Sequence, residues 1–533
     1  MSPDRADVVV VGAGPAGAIA ARRLAEDGVS VVCLEQGDWP DYGTARAEGT
    51  LRAGIGRAWS FEPNERRGVG DYAVDDSDSD IAAIMFNGVG GGSVQYAAQW
   101  TRNLPSDFRV RSLDGVAEDW PISYADLVPY YERVERDFGV SGLSGDPAYP
   151  SHSAALPPAP LGAGGDLVAQ AQNELGWHWW PGTNAIATRD TGTLGACLQH
   201  GVCMWGCPER SKGSADRTHW PAAIALGADL RTRARAHAVE VDGRGRARGV
   251  RYLDDAGAEH LVGADVVILA ANGLGTPRIL LNSGDGRDGL ANSSGLVGKR
   301  LMMHPFATVV GLFDRPLGTT QGVWGQIVYS LEFYGTDPDR DFVRGAKWGL
   351  VPTGGPASMS SSYPWGEERI WGEGVHDRVA ERLGRSIGWG IIAEDLPDEA
   401  NRVTLAPDRP DRDGLPGVKV TYSNSENSSR LLAFNVERAK ESLLAAGAYE
   451  TVVAPQIRES GWHLLGTTMM GEDPATSVLD GWGRAHDVPN LYVFDGSSWP
   501  TSSGTNPTAT VAALALRNTE RLLRERNVQA VPA

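Results

Sequence analysis

Residues 7–35 constrain this chain more than any other stretch. Asp7 leads into four consecutive valines, Val8 to Val11, the composition of a strand buried on both faces. Gly12-Ala13-Gly14-Pro15-Ala16-Gly17 follows as a G-x-G-x-x-G turn. Residues 18–25 are helix formers and small residues, stopped by Asp27-Gly28. Residues 29–34 return to β-formers, and Glu35 and Gln36 stand at their end. Strand, turn, helix, strand and acid in this order make a dinucleotide-binding βαβ unit. Gly12 permits the turn, Gly14 lets backbone approach a pyrophosphate, and Gly17 lets the helix pack on the strand. Pro15 and Ala16 open a helix whose free N–H groups face the phosphates. Glu35 is placed to accept hydrogen bonds from a ribose 2′-hydroxyl and would repel a 2′-phosphate, which disfavours NADP. The unit by itself serves FAD and NAD equally.

A chain of 533 residues exceeds what one hydrophobic core usually covers. Two domains built from interleaved segments are therefore expected. The formal net charge of −18 argues against a nucleic-acid backbone or an anionic membrane as partner. No apolar run is long enough to span a bilayer, and the polar first seven residues lack the layout of a signal peptide. Four cysteines suit a reducing compartment. A cytoplasmic protein is expected.

Asn87-Gly88-Val89-Gly90-Gly91-Gly92-Ser93 is a second glycine cluster, where backbone must pass close to something flat or take positive φ. Residues 120–124 open a helix through Asp126 to Phe138. Val239, Val241 and residues 249–252 read as antiparallel strands. Residues 265–271 read as a buried strand, with a short helix starting at Thr276-Pro277. From 303 to 455 glycine, proline and tryptophan punctuate a largely antiparallel pattern. Charged residues 339–344 and 408–413 read as exposed loops. Five tryptophans (Trp324, Trp348, Trp365, Trp371, Trp389) fall in one glycine-rich stretch. They read as packing or as a pocket wall suited to a sugar's C–H face, and the stretch is a candidate lid over the site.

Two C-terminal segments carry chemistry: residues 460–467 with His463, and Asp495-Gly496 followed by Asn506-Pro507-Thr508 and a helix to about Arg524. With these in view the chain resembles the glucose–methanol–choline flavin oxidoreductases. GAGPAG (12–17), GVGGGS (88–93), WPISYADLVPYYERVE (120–135) and ANGLGTPRILL (271–281) match. So do VGKRLMMHP (297–305), EDLPDEANRVTL (394–405), His463 and DGSSWPTSSGTNPTAT (495–510). These landmarks span nearly the whole chain in the family's order.

The resemblance implies an α/β fold with an α+β substrate part. A Rossmann-like FAD-binding domain (1–110, 196–302, 456–533) would interleave with a largely antiparallel substrate-binding domain (111–195, 303–455). It implies FAD as cofactor and His463 and Asn506 as catalytic residues. Asp495 and Gly496 would lie along the flavin ribityl and pyrophosphate, and the Val239 backbone against adenine. Gly90, Gly91, Gly92, Ser93, Ala271, Asn506, Pro507 and Thr508 complete the cofactor contacts. A histidine can take a hydroxyl proton near neutral pH, while Asn506 holds the alcohol oxygen with its C–H toward flavin N5. Asn506 is equally a natural helix N-cap. A lone histidine among Trp462, Leu464 and Leu465 can also be a packed core residue, and His304 is read as structural.

Within the family the chain is most similar to bacterial pyranose oxidases and glycoside 3-oxidases, on CMWGCP (203–208), KGS (212–214), DRTHWP (216–221) and the His463/Asn506 pair. This implies oxidation of a secondary ring hydroxyl of a pyranose or glycoside, C-glycosides included, with O2 or a quinone as acceptor. A dehydrogenase slow with oxygen and a flavin-bound hydroxynitrile lyase are rival readings on the same fold. Fungal pyranose oxidases attach FAD to a histidine whose position here is Gln95, so FAD is expected to be non-covalent. No metal is expected. Cys197, Cys203 and Cys207 could hold an iron–sulfur cluster, although their spacing does not fit paired-cysteine motifs; otherwise they are small residues in a tight turn.

Overall fold

The computed structural model describes residues 4–42, 59–150, 154–284, 288–360, 364–366 and 371–530. Its first sheet has seven strands and is built around the N-terminal unit. Arg5–Val11 lies parallel between Val31–Leu34 and Glu259–Leu269. Asp229–Arg231 extends one edge. Arg235–Val241 and Ala247–Leu253 form an antiparallel extension on the other side. Leu491–Val493 adds parallel to Glu259–Leu269. The four valines are buried, as a strand covered on both faces requires.

Helix Pro15–Glu26 starts at proline, whose fixed φ suits the first turn, and buries an alanine-rich face. A Cβ on Gly17 would lie 2.0 Å from the Gly12 carbonyl oxygen, so only glycine allows this approach. The helix expected to start at Thr276-Pro277 instead spans Asn272–Leu281, with Pro277 inside it. Proline has no N–H for the Gly273 carbonyl, and the Thr467 hydroxyl donates to that carbonyl instead, at 2.8 Å. The lost intrahelical bond is replaced, and the helix is tied to the segment carrying His463.

The second sheet has six strands: Glu450–Ala454, Phe306–Leu312, Ser386–Ala393, Ala346–Pro352, Val328–Ser330 and Trp180–Pro181, all antiparallel. A third, small sheet has Pro416–Tyr422 in the middle, antiparallel to Arg402–Pro410 and parallel to Val74–Ser79. An α/β dinucleotide-binding part joined to a sheet-rich part, with segments interleaved in sequence, is the architecture observed.

Two stretches expected to be exposed loops are exposed in part, 339–344 as a loop and 408–410 as the end of strand Arg402–Pro410, but each turns one charge inward. Arg344 is buried and paired with Asp107, with Asp114 and with Glu394, the last at 2.8 Å. The Asp411 side chain is buried between Arg235 (2.6 Å) and Arg278 (2.8 Å). In each case a charge that reads as solvent-facing in sequence has its counter-charge far along the chain. Removing one partner of such a pair costs about 3–5 kcal/mol, because the other is left buried alone.

Candidate active site

One cleft of about 310 Å³ gathers most of the expected cofactor contacts. Its lining includes Gly12, Gly14, Pro15, Ala16, Glu35, Gln36, Gly91, Gly92, Ser93, Ala271, Asp495, Gly496, Asn506, Pro507 and Thr508, together with His463. At its glycine end the two glycine clusters abut. A Cβ on Gly91 (φ +52°) would sit 2.7 Å from the Gly14 Cα, which leaves room for backbone and a pyrophosphate but not for a side chain. Gly14 stands at the N-cap of helix Pro15–Glu26 without a side-chain cap, so the free N–H groups and dipole of that end serve an anion. The Glu35 carboxylate accepts from the Ala13 and Gly37 N–H groups, both at 2.8 Å. Burial raises its pKa and these backbone donors oppose the rise. Asp495 accepts from Asn272 N–H (3.0 Å), Thr276 Oγ1 (2.6 Å) and Ser497 N–H (2.9 Å), which locks Gly496 against the cleft. These residues fit FAD: an anion cradle, a ribose-binding acid and a glycine-floored groove in one cleft.

Three expected contacts lie off this cleft. Gly17 serves helix packing. Gly90 is backed by Val94 and Asp216, and its N–H donates to the Ala13 carbonyl, so it buttresses the cradle from behind. Val239 is a correction: its N–H donates to Ser283 Oγ at 2.9 Å, and Ala234 and Ala236 of the same strand line the cleft instead. The register between Arg235–Val241 and Ala247–Leu253 shifts at Ala236 to Ala238, which separates the residue facing the cleft from the one matched by sequence.

The two catalytic candidates meet in the same cleft, each with a buried partner that sequence did not identify. An antiparallel bridge pairs Met302 with Leu465 through two 3.1 Å backbone hydrogen bonds. Counting two residues outward places His304 opposite His463, and their Nδ1 atoms lie 2.7 Å apart. His304 Nε2 faces the Ser503 carbonyl at 2.7 Å and the Ser502 carbonyl at 3.2 Å. Burial pushes the His304 pKa down to about 4. That of His463 also lies well below the usual value, through burial and then the nearby His304 and Lys347. Both rings are neutral at pH 7.

Asn506 Oδ1 accepts from Lys347 Nζ at 2.6 Å. The amide oxygen therefore faces the lysine and caps no backbone N–H, and the NH2 end is left for the cleft. Lys347, from the buried strand Ala346–Pro352, also donates to Gln326 Oε1 (2.9 Å) and Gln99 Oε1 (2.5 Å). Burial pulls the lysine pKa well down; three oxygens, one for each N–H of an ammonium, act in the opposite sense.

The cleft that holds His463 and Asn506 is mostly apolar, with Phe61, Trp324, Phe306, Val351, Ile392 and Trp462 in its lining and Gln99 polar among them. Of the five clustered tryptophans only Trp324 lines the cleft. Trp348, Trp365 and Trp389 are buried, and Trp371 is exposed. The stretch contributes three strands to the second sheet, so a lid made of the whole stretch is ruled out; its residues 361–363 and 367–370 lie outside the described ones. Cys197, Cys203 and Cys207 border a separate small cavity beside Lys212. Among the described residues no group of three or more His, Cys, Asp or Glu is arranged to hold a metal ion. Lys212 Nζ donates to the Val94 and Cys203 carbonyls, both at 2.6 Å, pinning the segment that carries Gln95.

Comparison with known proteins agrees with this geometry. Two family models described as GMC oxidoreductase match residues 6–306 and 397–515. The chain is 40% identical to 2-methyl-1,2-propanediol dehydrogenase of Mycolicibacterium austroafricanum, over 97% of this chain and 95% of that one. It is 33% identical to paromamine 6'-oxidase of Streptomyces fradiae, over 96% and 90%. Among solved structures, pyridoxine 4-oxidase from Mesorbium loti shares the fold with a TM-score of 0.68 at 18% identity, covering 98% of this chain and 99% of that one. The chain belongs to the GMC oxidoreductase family, FAD-dependent enzymes that act on the CH–OH groups of alcohols or sugars.

Proposed function

We propose that this enzyme oxidises a secondary ring hydroxyl of a pyranose or glycoside to a ketone, with non-covalent FAD, and that dioxygen is reduced to hydrogen peroxide. The observation that carries the reading is the convergence of His463 and Asn506 on a cleft walled by Trp324 and Trp462. Flat aromatic faces suit the C–H face of a sugar ring. Bound FAD supplies the hydride acceptor. The residues do the rest: the Asn506 amide donates to the alcohol oxygen and fixes its orientation. His463, neutral at pH 7, takes the hydroxyl proton as the O–H bond breaks and C=O forms, while the C–H hydrogen leaves with its electron pair. The apolar walls exclude water from the reacting carbon.

A second reading is favoured by the small number of polar side chains on those walls. A pyranose offers several hydroxyls, each of which loses water on entry and needs a partner, whereas a small branched diol offers two. The 40% identical relative is named for such a diol.

An anaerobic flavin-bleaching screen separates these. Glucose, xylose, an O-glycoside, a C-glycoside, 2-methyl-1,2-propanediol, choline and an aryl alcohol would each be mixed with holoenzyme. Fast bleaching by a sugar or glycoside supports the first reading, and bleaching by the diol alone supports the second. Readmitting air, or adding a quinone, then identifies the acceptor. No bleaching by any alcohol would favour a lyase.

A further inference from the structure

We propose that His304 is a positioning residue: it holds His463 in the tautomer with hydrogen on Nδ1, so that Nε2 is the bare nitrogen presented to the substrate hydroxyl. The proposal rests on His463 being the proton acceptor of the reading above, and extends it to which atom accepts and why.

The argument runs along one chain of hydrogen bonds. The Ser503 carbonyl can only accept, so the hydrogen on the 2.7 Å contact belongs to His304 Nε2. A neutral imidazole carries one N–H, so His304 Nδ1 is then a lone pair. The 2.7 Å contact between the two Nδ1 atoms needs one hydrogen, and His463 must provide it. Ring tautomers are assigned from partners in this way, each by what the other nitrogen faces. His463 lines the cleft, and its remaining nitrogen, Nε2, has the free lone pair a base requires.

The surroundings hold this arrangement rigid. His304 and Ser503 both have left-handed backbones, φ +60° and φ +58°. Non-glycine residues adopt that region at a cost, and such residues cluster at functional sites. Asp395 ties the two segments together: its carboxylate accepts from the Met303 N–H at 3.0 Å, and its backbone N–H donates to Ser502 Oγ at 2.9 Å. The two imidazoles meet edge to face, 85° apart, so the Nδ1 contact is directional. When His463 takes a proton at Nε2 it becomes an imidazolium, and its Nδ1–H is then a stronger donor to the His304 lone pair, so the contact is kept as the proton arrives.

The test uses holoenzyme labelled with 15N-histidine and two-bond 1H–15N correlation spectra, with signals assigned through His304→Gln and His463→Gln. The expected result is a neutral His463 protonated on Nδ1 and a neutral His304 protonated on Nε2. His304→Leu should lose the Nδ1–H form of His463 and slow anaerobic flavin reduction at least tenfold, with an altered pH profile. His304→Gln can donate to Ser503 with its amide N–H and accept from His463 with its oxygen, so it should restore both. A wild-type His463 protonated on Nε2 would overturn the proposal, with no variant needed; so would Leu and Gln variants of equal rate. If His463→Ala still bleaches with alcohol, the assignment of His463 as proton acceptor fails, whatever its tautomer.

Discussion

Lys347 Nζ lies 2.6 Å from Asn506 Oδ1, and this contact turns the amide oxygen to the lysine, so that in the proposed reaction the NH2 end faces the alcohol. A lysine nitrogen with hydrogens directed at three oxygens holds the carboxamide oxygen away from the cleft. Without it the amide is free to turn, and half of its orientations would present an acceptor to a hydroxyl that needs a donor. Lys347→Met keeps the length and apolar stem. We expect it to slow flavin reduction about tenfold, equivalent to roughly 1.4 kcal/mol, the order of one buried hydrogen bond. Stopped-flow reduction at saturating substrate measures this directly, and a wild-type rate in the variant would rule the orientation effect out.

The close approach of Gly91 to Gly14 makes a sharper demand on the cofactor cradle. Gly91→Ala places a Cβ 2.7 Å from the Gly14 Cα at a φ of +52°, so one of the two loops must move. FAD affinity should fall about tenfold or more, equivalent to roughly 1.4 kcal/mol. The flavin-to-protein absorbance ratio, and titration of apoprotein with FAD, report it; a fully loaded variant would show that the cradle is wider than its backbone suggests.

Gln95 lines the cleft and donates its amide N–H to the Trp59 carbonyl at 3.0 Å. An amide in this position is no nucleophile toward a flavin methyl group. Acid precipitation should leave all the flavin in the supernatant. A yellow pellet would mean that another residue forms a bond to the cofactor.

Asp395, which braces the His304 segment, carries a pH signature of its own. Burial pushes its pKa up to about 7 against the Tyr422 hydroxyl and the backbone donors that lower it. A carboxyl whose pKa is raised on folding stabilises the protein fully below the unfolded value near 3.8, and that contribution is lost as pH climbs through about 7. Asp395→Asn removes the titration. The stability of the native protein relative to this variant should therefore decline between about pH 4 and pH 7, by at most about 1.4 kcal/mol per pH unit. Above that range the difference should level off. Parallel melting curves for the two proteins across the range would contradict it.

Much of the cofactor side was legible in the sequence because its parts lie within short contiguous motifs. Gly12 to Gly17, Glu35, Asp495 and Asn506 each come with neighbours that fix their local geometry. What sequence missed depends on register between distant segments. His304 acquires a role only when Met302 pairs with Leu465. Lys347 carries no motif of its own, and its place at the site follows only from the strand Ala346–Pro352 being covered on both faces. Asp411 lies 176 residues from Arg235 and 133 from Arg278, so its charge looked free. Val239 was misplaced for a similar reason: a register shift within one β-ribbon moves the cleft-facing position to Ala236.

The strand Leu491–Val493 sits beside Glu259–Leu269 in the dinucleotide sheet, and this has a bearing on biosynthesis. Residues 7–35 leave the ribosome well before Leu491–Val493, and the sheet they belong to lacks a strand until that segment has been made. At typical elongation rates that interval is roughly 20–90 s. In the later part of it, once Glu259–Leu269 has been made, the Val267–Leu269 end of that strand offers unpaired backbone groups on one side, a surface open to association with other nascent chains. Chaperone occupancy and cofactor capture should both be late events for this enzyme, and C-terminal truncation before Leu491 should remove FAD binding along with activity, although every residue of the N-terminal glycine turn would still be present.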